Sequence, residues 1–182
     1  MPRWLNLPNL FTLLRLALAP VVIREILDGR HFAALAVFAV AAVTDILDGA
    51  SARLFGITSV AGAILDPIAD KCLLSGVFLA LALAGSMPWW LVAIVFGRDL
   101  YILLAAAAAA LFTRIRKFPP SVWGKVSTFV QVATVVLWMA RDLLQISTLD
   151  ALASVMRWPC AGFTIWSGVH YTWRGARLIR TN

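Results

Sequence analysis

Residues 72–97 read CLLSGVFLALALAGSMPWWLVAIVFG, 26 consecutive positions without a charged side chain. A helix needs about 20 mainly apolar residues to cross the hydrocarbon of a bilayer. The tetrapeptide Gly85-Ser86-Met87-Pro88 carries turn chemistry, so it divides the stretch into the end of one apolar helix and the start of the next. Comparable punctuation stands at Asp28-Gly29-Arg30, Gly56-Ile57-Thr58, Pro119-Pro120-Ser121 and Arg141-Asp142. The expectation is six spans, over residues 4–27, 32–54, 60–84, 88–112, 121–140 and 149–172. Ala- and Leu-rich runs satisfy their backbone groups in lipid as helices. The expected fold is therefore all-α, a polytopic six-transmembrane-helix bundle forming one domain over residues 1–182.

The composition agrees. Of 182 residues, 62% are hydrophobic and 14% charged, and mean hydropathy is +0.87. A soluble domain averages about 45–50% apolar and about 25% charged, and a globule of this size cannot hide such an excess. Disorder fails on the same numbers. Cys72 and Cys160 lie in apolar surroundings and supply neither a disulfide framework nor a Cys-based metal site. The net charge of +7 is assigned to basic loops facing anionic lipid, with no nucleic-acid partner. Arg3, an apolar run and Ala17-Leu18-Ala19 imitate a signal peptide, but Arg15 and Pro20 are misplaced for one, so no cleavage is expected.

With the N-terminus inside, the inner loops and tail carry Arg3, Arg53, Arg114, Arg116, Lys117, Lys125, Arg174, Arg177 and Arg180. The opposite side holds mainly Arg30 and Arg141, each close to an aspartate. The positive-inside rule puts both termini in the cytoplasm. Trp89, Trp90, Trp158 and Trp173 fall near span ends, where interfacial anchors belong.

Four of the nine acidic residues, Asp45, Asp48, Asp66 and Asp70, fall within 26 positions of otherwise apolar sequence. A carboxylate at membrane depth is costly, and four together repel unless something positive lies between them. Asp45, Asp48 and Ala52 stand at i, i+3 and i+7; Gly62, Asp66 and Asp70 at i, i+4 and i+8. Each set lies on one helical face. The short turn between the helices suggests antiparallel neighbours and a cytoplasm-facing polar site. Oxygen-only ligands suit Mg²⁺ or Mn²⁺ rather than zinc. Two such cations bridged by carboxylates form a clamp for phosphoryl displacement. Gly49 and Gly62 permit close backbone approach, and Arg53 suits phosphate oxygens.

The pattern Asp45-x2-Asp48-Gly49-x2-Ala52-Arg53-x8-Gly62-x3-Asp66-x3-Asp70 matches the signature of the CDP-alcohol phosphatidyltransferase family without a departure. Pro8-Asn9-x2-Thr12-x2-Arg15-x4-Pro20 resembles the family's first helix, and Arg15 with Asn9 and Thr12 is placed at one wall of the site. Asp66-Pro67-x-Ala69-Asp70-Lys71 and Gly124-Lys125-x2-Thr128-x2-Gln131 resemble forms found in phosphatidylglycerophosphate and cardiolipin synthases. The resemblance implies a homodimer of six-helix subunits in the membrane, a bacterial inner membrane being expected, with CDP-diacylglycerol as donor and two divalent cations. It implies that Asp45, Asp48 and Asp66 hold one cation, and that Asp66 and Asp70 hold the other. Asp70 matches the general base, while Asp45, Gly49, Ala52, Arg53 and Gly62 match the CDP-binding positions.

Arg98, Arg114 and Lys125 are candidates for binding the acceptor; their alternatives are a structural ion pair at Arg98-Asp99 and topology-setting charges in the loop. The favoured acceptor is glycerol-3-phosphate, giving phosphatidylglycerophosphate; the alternative is phosphatidylglycerol, giving cardiolipin. Many glycerol-3-phosphate users carry a second basic residue about seven positions beyond the first. Here Arg98 is followed by Tyr101-Ile102-Leu103-Leu104 and alanines, which resembles the cardiolipin synthases at that point. A cation or proton relay is a third reading, disfavoured because the carboxylates cluster at one depth.

Overall fold

A computed structural model describes the backbone of residues 7–55, 60–112 and 122–180, and the side chains of 12–45, 69–105, 122–175 and 177. The described chain contains six helices and no strand: α1 (Leu7–Leu27), α2 (His31–Phe55), α3 (Val60–Leu83), α4 (Trp89–Phe112), α5 (Val122–Leu144) and α6 (Ser147–Arg180). Six helices stand where six spans were expected. Among the described residues one of them, Val122–Leu144, is long and apolar enough to cross a membrane, and His31–Asp45 forms a shorter apolar stretch. The chain divides into two compact units, one mainly residues 1–87 and the other residues 88–141 with 145–182.

Two of the expected turns are built by the glycines that mark them. Gly29 has φ +71°; its N–H donates to Ile26 O at 3.1 Å, and the Arg30 N–H donates to Glu25 O at 2.9 Å. Gly85 has φ +79°, with the Gly85 N–H on Ala82 O at 3.0 Å and the Ser86 N–H on Leu81 O at 2.9 Å. Both are Schellman ends, in which a left-handed residue lets the chain satisfy the last helical carbonyls.

In the first unit, α1 packs against both α2 and α3. Its buried residues Thr12, Arg15, Ala19, Val22 and Ile26 alternate three and four apart, a single stripe along the helix. Ala34, Phe38, Ala41 and Thr44 form the buried stripe of α2, and Ala69, Leu73, Val77 and Ala80 that of α3. Alanine recurs in all three stripes, and small residues let helix backbones approach. Gly76 marks one such approach: a Cβ there would lie 2.7 Å from Ile23 Cδ1 on α1. Both helices that flank the short α2–α3 turn pack against α1.

In the second unit α4 packs against α6, and α5 and α6 share a buried polar seam. Gln131 Nε2 donates to Thr164 Oγ1 at 3.0 Å and to Ser127 Oγ at 3.4 Å, and all three residues are buried. The fifth helix runs past its expected end at Arg141-Asp142. Gln145 takes the left-handed conformation (φ 52°) and its N–H donates to Arg141 O at 2.9 Å. Arg141 meanwhile pairs with Asp150 at 2.7 Å, joining the end of α5 to the first turn of α6. The sixth helix also outruns its expectation, reaching Arg180 rather than 172, since arginine and leucine are good helix formers.

Large apolar side chains cover much of the outside. Leu13, Leu14 and Leu16 on α1, Val40 and Val43 on α2, Leu103 and Leu104 on α4, and Val155 and Val169 on α6 are all exposed. Trp89, Trp90, Trp158 and Trp173 are exposed as well, and the rings of Trp90 and Trp158 stack 5.5 Å apart.

Candidate active site

The site is organised by one buried cation. Arg15 lies in the inward stripe of α1, one helical turn beyond Thr12, and its side chain is 1% exposed. Its Nη2 forms an ion pair with Asp45 Oδ1 at 2.7 Å, and its Nη1 donates to Asp70 Oδ1. Asp45 follows buried Thr44 on α2, and Asp70 follows buried Ala69 on α3. Each therefore sits where its helix turns from the packed face toward the outside. The carboxylates are 51% and 48% exposed. Carboxylates 25 positions apart in sequence thus meet at one guanidinium from a third helix. The guanidinium's planar fork suits bridging of this kind. Its Nε is buried and makes no hydrogen bond among the described residues.

Arg15, expected at one wall, lies between Asp45 and Asp70; Thr12 is buried one turn before it, and the side chain of Asn9 lies outside the described residues. Asp45 and Asp70 are brought together as expected. Asp48, Gly49, Ala52 and Arg53 fall within α2, and Gly62 and Asp66 within α3, but their side chains lie outside the described residues. Arg114 also lies outside them. Lys125 is exposed in the first turn of α5. Arg98 on α4 donates from Nη1 to Asp99 Oδ1 and from Nη2 to Ser167 Oγ on α6, both at 2.7 Å. Both terminal nitrogens are thus engaged, one of them across to another helix, which is the structural-pair alternative for this residue.

Two features exceed what the sequence suggested. The direct bridge from Arg15 to both acids goes beyond the wall position that the first-helix resemblance implied for this arginine. The seam of Ser127, Gln131 and Thr164 was signalled by spacing: Ser127, Gln131 and Thr134 stand at i, i+4 and i+7 on α5, and Cys160, Thr164 and Ser167 repeat that interval on α6.

Chemically, Asp45 and Asp70 present hard carboxylate oxygens on side chains about half exposed. That donor set fits Mg²⁺ or Mn²⁺, which favour carboxylate and water ligands. The two described acids can contribute to such a site, hold a nearby guanidinium, or accept a proton from a hydroxyl.

Comparison with known proteins fits this geometry. The family model for CDP-alcohol phosphatidyltransferase matches residues 5–166. A Mycobacterium tuberculosis protein named probable phosphatidylglycerophosphate synthase is 35% identical over 180 residues, covering 96% of this chain and 83% of its own length. The Rattus norvegicus cardiolipin synthase (CMP-forming) is 31% identical over 199 residues, covering 96% of this chain and 64% of its own. The Homo sapiens cardiolipin synthase (CMP-forming) is 29% identical over the same coverage. With its acidic motif split between two helices and joined through a third, this chain belongs to the CDP-alcohol phosphatidyltransferase family and is a transferase of phospholipid biosynthesis.

Proposed function

We propose that the protein transfers the phosphatidyl group of CDP-diacylglycerol to glycerol-3-phosphate, releasing CMP. The carrying observation is the meeting of Asp45 and Asp70 at Arg15, which gathers the two ends of the family's acidic motif. In the transfer, the acceptor hydroxyl oxygen bonds to the phosphorus bearing the diacylglycerol. The bond from that phosphorus to the CMP oxygen breaks, and the hydroxyl proton passes to Asp70. Asp45, Asp48 and Asp66 would hold one divalent cation, and Asp66 and Asp70 a second. Such cations supply Lewis-acid neutralisation of the diphosphate and of departing CMP. Asp45, Gly49, Ala52, Arg53 and Gly62 are assigned to the CDP portion, where Arg53 offers a fork to phosphate oxygens. Arg114 and Lys125 are assigned to the acceptor, with Arg98 in a supporting position. No serine or cysteine nucleophile is needed, because the incoming hydroxyl attacks phosphorus directly.

The setting we propose is a single catalytic domain of six transmembrane helices, working as a homodimer in a bacterial inner membrane. The apolar exterior supports it, since Leu and Val spread over several helices suit lipid contact better than water. So do Trp89 and Trp90, exposed at the start of α4. Both termini and the site would face the cytoplasm. The basic residues Arg174 and Arg177 near the end of α6 fit that orientation.

A second acceptor is favoured by one observation. Beyond Arg98 the fourth helix continues through Tyr101 and Leu103 into alanines with no second basic residue, as the cardiolipin synthases do. Phosphatidylglycerol is therefore the alternative acceptor, with cardiolipin as product. The test offers purified protein CDP-diacylglycerol and Mg²⁺ with each acceptor separately and measures CMP. Release with glycerol-3-phosphate supports the first assignment; release with phosphatidylglycerol alone replaces it with the second.

A further inference from the structure

We infer that Arg15 is a built-in cation that competes with divalent metal for Asp45 and Asp70, and so sets how tightly the site takes metal. This rests on the proposal that these aspartates are metal ligands. Three observations carry it. First, one guanidinium reaches both carboxylates, with Nη2 on Asp45 at 2.7 Å and Nη1 on Asp70. It sits where positive charge is needed to hold two like charges together. Second, Arg15 is 1% exposed whereas its partners are about half exposed. Solvent, and with it a hydrated ion, reaches the half-exposed acids but not the buried arginine. Third, Arg15 belongs to the packed stripe between Thr12 and Ala19, so its stem is held by α1 and it cannot swing into water.

The consequence is electrostatic. Without metal, Arg15 keeps α2 and α3 gathered on α1 and prevents repulsion between the acids from opening the site. When metal binds, the same carboxylate charge is shared between ion and guanidinium, which weakens metal binding. Arg15 is thus a positioning residue. Its role differs from that of a simple structural ion pair, because its removal is expected to have opposite effects on apo stability and on metal affinity.

The experiment uses the full chain in detergent and Mn²⁺ alone as probe. Bound Mn²⁺ is counted from loss of the free-ion electron paramagnetic resonance signal, and melting is followed in EDTA and in saturating Mn²⁺. Wild type is expected to bind Mn²⁺. Arg15→Met is expected to melt lower than wild type in EDTA and to recover most of that loss in Mn²⁺. It is also expected to bind Mn²⁺ about tenfold more tightly, as removal of a unit charge a few ångströms from the ligands implies. Equal or weaker Mn²⁺ affinity, or the same loss of melting temperature with and without Mn²⁺, overturns the inference. Should Arg15→Met fail to fold, Arg15→Lys decides. An ammonium is a single point charge that cannot fork between two acids, so affinity is expected to rise several-fold, and unchanged affinity overturns the inference. Folded wild type that binds no Mn²⁺ refutes the metal assignment itself, an outcome distinct from wild type and variant binding equally.

Discussion

Replacing Asp70 by asparagine separates chemistry from architecture. The substitution keeps the shape of the side chain and removes its charge, its basicity and its value as an ionic ligand. Structurally it weakens one of two contacts to Arg15, whose ion pair with Asp45 at 2.7 Å stays in place. Two unit charges about 3 Å apart attract by roughly 5 kcal/mol at an effective dielectric of about 20. Asp70 is 48% exposed, however, so solvent screening reduces the net cost to about 1 kcal/mol. For a chain of this size that lowers the melting temperature by about 2–4 °C. Activity responds on another scale. Loss of a general base costs about 10²–10⁴-fold, and loss of a metal ligand adds to it, so CMP release is expected to fall by about 10³-fold or more. The assay pairs CMP release from CDP-diacylglycerol in saturating Mg²⁺ with a thermal melt of the same preparation. Turnover within about tenfold of wild type would refute the assignment of Asp70 as base. A melting loss above about 10 °C would instead refute the claim that Arg15 and Asp45 hold the site without Asp70.

Arg98→Ala removes hydrogen bonds to Asp99 and Ser167; it should cost about 1–3 kcal/mol, read as a lower melting temperature, while an unchanged KM for the acceptor would confine Arg98 to structure. Arg141→Ala breaks a pair whose acid is largely exposed, so the melting temperature should move by less than about 1 kcal/mol equivalent. Gly76→Ala meets the far end of the Ile23 side chain and should be nearly neutral after a rotamer change, whereas Gly76→Ile should cost about 1–3 kcal/mol by overpacking. Excess EDTA should abolish CMP release, and Mg²⁺ or Mn²⁺ but not Ca²⁺ should restore it, because the smaller ions enforce tighter geometry on carboxylates.

The helices were legible because apolar runs are long and their stops are chemical. Gly29 and Gly85 take the left-handed conformation their turns require, and both boundaries fall within a residue or so of expectation. The end of α5 was misread because Gln145 adopts that conformation without being glycine, and because Arg141 is absorbed by Asp150 instead of ending the helix. Fixed spacing made the acidic motif legible, and the structure brings its first and last members together. Their meeting through α1 was harder to foresee. A short loop between α2 and α3 suggests adjacency, but no local pattern shows that the alanine-lined stripes of both helices also find α1. Arg15 itself stood out as a charge within an apolar run, but its two partners lie 30 and 55 positions away. Likewise, the spacing of Ser127, Gln131 and Thr134 marks a polar stripe on α5 without naming Thr164 as the partner.

The most direct test of phosphatidyl transfer by this site is lipid mass spectrometry of the products formed by purified protein. CDP-diacylglycerol, glycerol-3-phosphate and Mg²⁺ are supplied, in parallel with EDTA and with Asp70→Asn. Phosphatidylglycerophosphate matched mole for mole by CMP, and absent from both controls, is the expected result. Folded wild-type protein that forms neither this lipid nor, when given phosphatidylglycerol, cardiolipin would contradict the proposed transfer.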